Sequence, residues 1–198
     1  MSHKNEGRMM ELKMIITNNK EFAEEARYLS TQATDDSIRY IHNDIGYNYR
    51  LTNIQAAIGC AQMENLDEFI STKRRIRMTY DDCLGDLPGI TLVKEASWAR
   101  SVCWMYTILV NATEFGTDSR TLLSRLQQNG IQTRPVWQPI HLSPAHLDAS
   151  SILNGTAEHV YANALSLPCS VGLSPIDQEK VLSEVKRVAE EPHKEVPS

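Results

Sequence analysis

From Ile90 onward the chain alternates short β-rich runs with helical periods, joined by connections of a few residues. "ITLV" (Ile90 to Val93) and "VCWMYTILV" (Val102 to Val110) read as strands, the second alternating only in part and so expected to be well buried. "DSRTLLSRLQQN" follows as a helix, with Asp118 or Thr117 as its cap and Gly130 as its stop. "IQTRPVW" returns extended, and Pro135, which has no N–H for a ladder, confines it to an edge or a strand end. Trp137 to Ser151 is turn-rich, Ala157 to Leu165 suggests a short helix and "SLPCSVGL" a loop. Ser174-Pro175 then opens a last helix reaching about Val188. Such a pattern implies a small sheet covered by helices, a two-layer α/β module.

The residues before Ile90 read differently. "MIIT" (Met14 to Thr17) has the β-branched content of a short strand, and Asn18-Asn19 turns the chain into "KEFAEEARYL", where Phe22, Ala26 and Leu29 recur at helical spacing. Residues Ser30 to Tyr40 show no period. Thr52 and Gln55, three apart, form a capping-box pattern opening a helix with a stripe of Ile54, Ala57 or Ile58, Ala61 and Leu66. The helical pattern continues through Ile76, Tyr80 and Leu84, bends near Glu64 and stops before Pro88-Gly89.

Composition removes several function classes. Of 198 residues, 41% are hydrophobic and 23% charged, and the net charge is −5. That balance suits a folded globular chain and argues against a nucleic-acid partner, which selects a basic face. The basic run Lys73, Arg74, Arg75 and Arg77 falls within a helix and reads as a solvated face. No apolar run approaches the roughly 20 residues that span a bilayer, so no membrane is expected. The four cysteines make no CxxC pair and no secretory h-region opens the chain, so reduced thiols and a cytoplasmic location are expected. His141 and His146, five apart and without an acidic cluster, do not suggest a metal site. Phosphate loops, dinucleotide fingerprints and hydrolase elbows are absent.

One knuckle stands out. "GYNYR", Gly46 to Arg50, packs two aromatic rings and two polar groups into five residues ahead of a helix start. Tyr47 and Tyr49 could pack inward while Asn48 caps a turn and Arg50 pairs with a carboxylate. Alternatively, Asn48 and Arg50 present donors to a phosphate between tyrosine walls, helped by the positive end of the following helix.

The segments "GYNYRLTNIQAAIGCAQMENLDEFI", "CWMYTILV", "GIQTRPVWQPIH" and "LSLPCSVGLSPIDQEKV", in this order, resemble the C-terminal half of the DegT-type nucleotide-sugar aminotransferases, over about Met14 to Val188. These are fold-type I enzymes that use pyridoxal phosphate (PLP) to move an amino group from glutamate to a keto-sugar nucleotide. The resemblance implies a strand-helix remnant of the large domain at residues 1–50, connecting helices at 51–89, a C-terminal α/β domain at 90–190 and a tail at 191–198. It further implies a homo-oligomer in which Asn48 reaches the PLP phosphate across the dimer interface and Arg50 lines the sugar-nucleotide pocket. Tyr49 and His141 join the substrate side. It assigns no catalytic residue, because "KNEGRMMELK" stands where the family has its Schiff-base lysine, threonine pair and glycine-rich turn. The lysine's place falls near Asn5, beside Lys4, and Met10 to Lys13 occupy the glycines' place. A truncated enzyme, inactive alone, is the resulting expectation. Lys4 or Lys13 as a surrogate anchor and a non-catalytic interaction module are the alternatives.

Overall fold

The computed structural model describes residues 15–36 and 38–190, in two compact units that divide between Leu66 and Asp67. Expectations placed on Lys4, Asn5, Met10 to Lys13 and Met14 lie outside the described residues.

In the first unit, helix α1 (Lys20–Ser30) is started by Asn19, whose side chain accepts the Phe22 N–H. A small antiparallel ladder follows, β1 (Thr34–Asp36) with β2 (Ile41–His42), in the stretch where the sequence shows no period. Local polar groups hold it: Asp35 accepts from the Asn43 N–H at 2.8 Å and the Tyr28 hydroxyl at 3.0 Å, and His42 Nδ1 lies 2.8 Å from the Gln32 carbonyl. These contacts are invisible to hydrophobic periodicity. Ile15 to Thr17 form no strand, since no described neighbouring strand offers them a ladder, and both isoleucines are exposed.

Helix α2 (Asn53–Glu64) opens with the expected reciprocal capping box: Gln55 N–H donates to Thr52 Oγ1 at 3.3 Å and Thr52 N–H to Gln55 Oε1 at 2.8 Å. It ends where the bend was expected, at Asn65, whose amide turns back to the Ala61 carbonyl. The expected buried stripe is a correction: Ile54 is 74% exposed, and Ala57, Ile58 and Ala61 are exposed too. Spacing predicts which face is apolar, but not whether anything covers it.

Helix α3 (Leu66–Leu84) brings Ile76, Tyr80 and Leu84 into the core of the second unit. There β3 (Ile90–Leu92), β4 (Tyr106–Val110), β5 (Arg134–Pro135) and β6 (Ala164–Leu167) form an antiparallel sheet in the order β3-β4-β6-β5. The short helix α4 (Ala112–Phe115) follows β4, and α5 (Ser119–Gln128) is capped by Asp118, which accepts from the Arg120 and Thr121 N–H groups. Gly130 follows α5 with φ 75°. Helix α6 (Thr156–Asn163) leads into β6, and α7 (Pro175–Glu190) closes the unit.

Leu122 and Leu126 of α5 and Val181, Val185 and Val188 of α7 pack with Ile108, Val110, Leu165 and Leu167 of the sheet, giving the expected two layers. Pro135 sits on the edge strand as anticipated. Two readings change. Strand β4 begins at Tyr106 rather than Val102, and "ALSL", read as helix end and loop, is the buried inner strand β6. Four residues are too few to show a period, and only pairing on both sides makes them a strand.

Candidate functional site

The GYNYR turn is built on the end of α1. Tyr47 N–H donates to the Leu29 carbonyl at 2.7 Å, Tyr49 N–H to the Ser30 carbonyl at 3.1 Å, and Gln32 N–H to the Tyr47 carbonyl at 3.0 Å. Gly46 makes this close approach possible, because a Cβ there would stand 2.2 Å from the Ala33 nitrogen and 2.3 Å from the Gln32 carbonyl carbon. Gln32 and Ala33 both adopt positive φ, 65° and 48°, uncommon for residues with side chains. The backbone on either side is thus tightly specified, while the side chains point away from packing.

Tyr47 and Tyr49 stack at 5.1 Å between ring centroids, with planes 20° apart, and Tyr49 is 75% exposed. The side chains of Asn48 and Arg50 are exposed and, among the described residues, have no hydrogen-bond or ion-pair partner. So the tyrosines stay exposed, and among the described residues Asn48 caps no turn and Arg50 meets no carboxylate. What remains is two unpaired donors beside an aromatic pair, ahead of the N-terminus of α2. Such a set can bind an anion or a ring bearing one.

His141 belongs to the second unit, on a 3₁₀ turn at Ile140–Leu142. Its Nε2 lies 2.8 Å from Oε1 of Glu158 on α6, an ion-pair distance without the direction of a hydrogen bond, which leaves that nitrogen buried and unbonded. The ring is thus mostly buried and stands next to a carboxylate. Sequence spacing alone did not point to Glu158, seventeen residues on.

A further cluster escaped the sequence reading. Arg77 donates to Asp81 at 3.2 Å and to the Val93 carbonyl at 3.3 Å, lies 3.7 Å from Glu95, and contacts the Cys103 thiol. Glu95 also accepts from Arg74 at 2.9 Å and from the Ser101 N–H. The Ser101 N–H first, and Arg74 after it, hold the Glu95 carboxyl below its ordinary range. Two members of the basic run are therefore partly buried and paired, and Lys73 donates to the Trp104 carbonyl at 2.8 Å. Periodicity had placed them on a solvated face, since the loop carrying Glu95 and Ser101 has no regular pattern of its own. Beside this cluster Trp104 and Trp137 stack at 6.0 Å with planes 13° apart. Among the described residues no group of three metal-ligating side chains occurs and no helix is long and apolar enough to cross a membrane.

Comparison with known proteins places these features in a wider context. The DegT/DnrJ/EryC1/StrS aminotransferase family matches residues 9–186. GDP-perosamine synthase of Caulobacter vibrioides is 35% identical over 178 residues, covering 88% of this chain and 47% of that protein. Among solved structures, the aminotransferase TlmJ from Streptoalloteichus hindustanus aligns with a TM-score of 0.78 at 25% identity, over 86% of this chain and 45% of that one. A DegT DnrJ EryC1 StrS aminotransferase from Brucella abortus aligns with a TM-score of 0.75, also at 25% identity, over 88% and 45%. The chain spans about half the length of the curated relatives it matches.

Proposed function

Because the chain belongs to the DegT/DnrJ/EryC1/StrS aminotransferase family, we propose that it carries the C-terminal half of a PLP-dependent aminotransferase acting on a nucleotide sugar in amino-sugar biosynthesis, with glutamate as amino donor. The observation that carries this reading is the family match over residues 9–186; the unpaired donors of the GYNYR turn support it.

The described residues fit the cofactor at one end only. Asn48 and Arg50 have the exposed donors that a phosphate requires. No described lysine suits the aldehyde end: half-buried Lys73 already gives its ammonium to the Trp104 carbonyl and lies 3.5 Å from the Cys169 thiol. When bound, PLP supplies an electron sink for breaking bonds to the amino-bearing carbon. This chain's residues have the task of binding and orientation: in the first unit Asn48 toward the cofactor phosphate of a neighbouring subunit and Arg50 and Tyr49 toward that subunit's nucleotide sugar, and in the second unit His141 toward the substrate of its own subunit. By itself the chain is not expected to transfer an amino group. Four cysteines free of disulfides accord with a cytoplasmic protein.

A second reading is favoured by the uncovered faces of the first unit, where Phe22, Ile54, Ile58 and Met63 are all exposed. Apolar faces of this kind promote association, so a homo-oligomer, or a non-catalytic module docking on a full-length relative, is the corresponding proposal. Light scattering during a titration with nucleotide sugar separates the two. Binding that weakens in Arg50→Ala and Tyr49→Ala supports the enzyme-half reading. Association without any nucleotide-sugar binding favours the module.

A further inference from the structure

The chain has three tryptophans, and all three are exposed. Trp98 stands in a loop. Trp104 and Trp137 are 65% and 71% exposed, and each stacks on the other. Leaving two rings of this size in water forgoes a large part of their burial energy, which a chain with an apolar core nearby could have recovered.

The backbone just before Trp104 is strained. Cys103, 5% exposed, sits at φ 52°, a left-handed conformation uncommon in a residue with a side chain. It is fixed there by its own N–H, which donates to Ser101 Oγ at 3.0 Å, and by Arg77, whose Nη1 approaches its sulfur at 3.7 Å. Trp104's carbonyl is pinned by Lys73 at 2.8 Å and by the Cys169 thiol at 3.4 Å. Trp137 comes from the chain two residues after the edge strand β5, which β6 separates from β4, the strand Trp104 precedes. Backbone strain that persists because its surroundings over-determine it is characteristic of binding sites. Here the left-handed residue directly precedes the exposed ring.

The two indoles border a cleft of about 340 Å³ whose other walls include Arg77, Glu95, Ser101 and Thr107. Flat apolar faces with polar groups at the margin suit a planar heterocycle, whose π-face stacks and whose edges need hydrogen bonds. We propose that Trp104 and Trp137 form the stacking platform for the nucleobase of a nucleoside diphosphate ligand. This rests on the nucleotide-sugar reading above and adds to it the group that would hold the base.

The test uses the full chain carrying Trp98→Phe, so that tryptophan fluorescence reports only the platform. Titration with GDP, and separately with UDP, is expected to give a saturable quench, and sodium pyrophosphate is expected to give none. Trp104→Ala and Trp137→Ala are each expected to weaken nucleotide binding by about 5- to 100-fold, the range for loss of one aromatic-base stack. Trp104→Tyr is expected to keep most of the affinity, and because both rings are exposed the melting temperature should not move. Binding is followed by calorimetry for variants that lose the signal. Equal binding of pyrophosphate, nucleotide affinity unchanged in both alanine variants, or no nucleotide binding at all would overturn the proposal. If nucleotide-sugar binding depends on Arg50 but not on either tryptophan, the platform fails and the family reading stands. If the tryptophans govern GDP or UDP affinity but the attached sugar adds nothing, the platform stands and the sugar-nucleotide reading fails.

Discussion

Gly46→Ala is the perturbation that most sharply tests how the GYNYR turn is built. A methyl group at this position would stand 2.2 Å from the Ala33 nitrogen, 2.3 Å from the Gln32 carbonyl carbon and 2.7 Å from the Gln32 Cα. All three are backbone atoms, in a segment already at positive φ, so no side chain can rotate away to relieve the clash. The turn must move off the end of α1, and three backbone hydrogen bonds then break: Tyr47 to Leu29, Tyr49 to Ser30, and Gln32 to Tyr47. At about 1 kcal/mol each the loss is about 3 kcal/mol, or about 100-fold in a local equilibrium. Amide hydrogen exchange measures that equilibrium directly, because these amides exchange through local opening. The Tyr47, Tyr49 and Gln32 amides are expected to exchange about 100-fold faster, while Leu165 and Ile108 amides in the second unit keep their rates. Gly172→Ala is the control, since no atom lies within 4 Å of its added Cβ. Unchanged protection of the three amides in Gly46→Ala would refute the reasoning.

Three other outcomes follow from the same structure. Leu165→Ala, at a fully buried position of β6, should cost about 2–5 kcal/mol in urea unfolding followed by circular dichroism, and a loss under 1 kcal/mol would argue against β6 as an inner strand. The Asp118 carboxyl, held below its ordinary 3.8 chiefly by the Thr121 N–H, adds stability that is complete above that value and is lost as pH falls through its lower folded value. Asp118→Asn should therefore keep the cap but lose this acid dependence, whereas Asp118→Ala should cost about 1 kcal/mol at neutral pH, both read from melting temperature against pH. Arg50→Ala and Asn48→Ala should leave the melting temperature unmoved, because neither side chain has a described partner, while Arg50→Ala weakens nucleotide-sugar binding in calorimetry.

The second unit was legible where local chemistry and pattern agree. Asp118, Pro135 and Ser174-Pro175 announce a cap, an edge and a helix start through their own backbone preferences, and each structural element appeared as those residues imply. Strand β6 was not legible, because "ALSL" is a strand only through pairing with β4 and β5 on either side. In the first unit the Thr52–Gln55 box could be read from two residues, whereas the exposure of Ile54 and Ile58 could not, since periodicity says nothing of what lies opposite. At the candidate site, Asn48, Tyr49 and Arg50 were visible as an unusual polar and aromatic run. Glu158 beside His141, and Trp104 against Trp137, were not, because each pair joins distant segments that only the folded sheet brings together.

The central claim, that this chain holds the nucleotide-sugar and phosphate-binding turn of its family, is tested most directly by calorimetric titration of the chain with a GDP-linked sugar, alongside a variant with Gly46 to Arg50 scrambled. Saturable binding by the natural chain that the scrambled turn weakens at least tenfold is the predicted result. Indistinguishable binding by the two chains, or none by either, would contradict it.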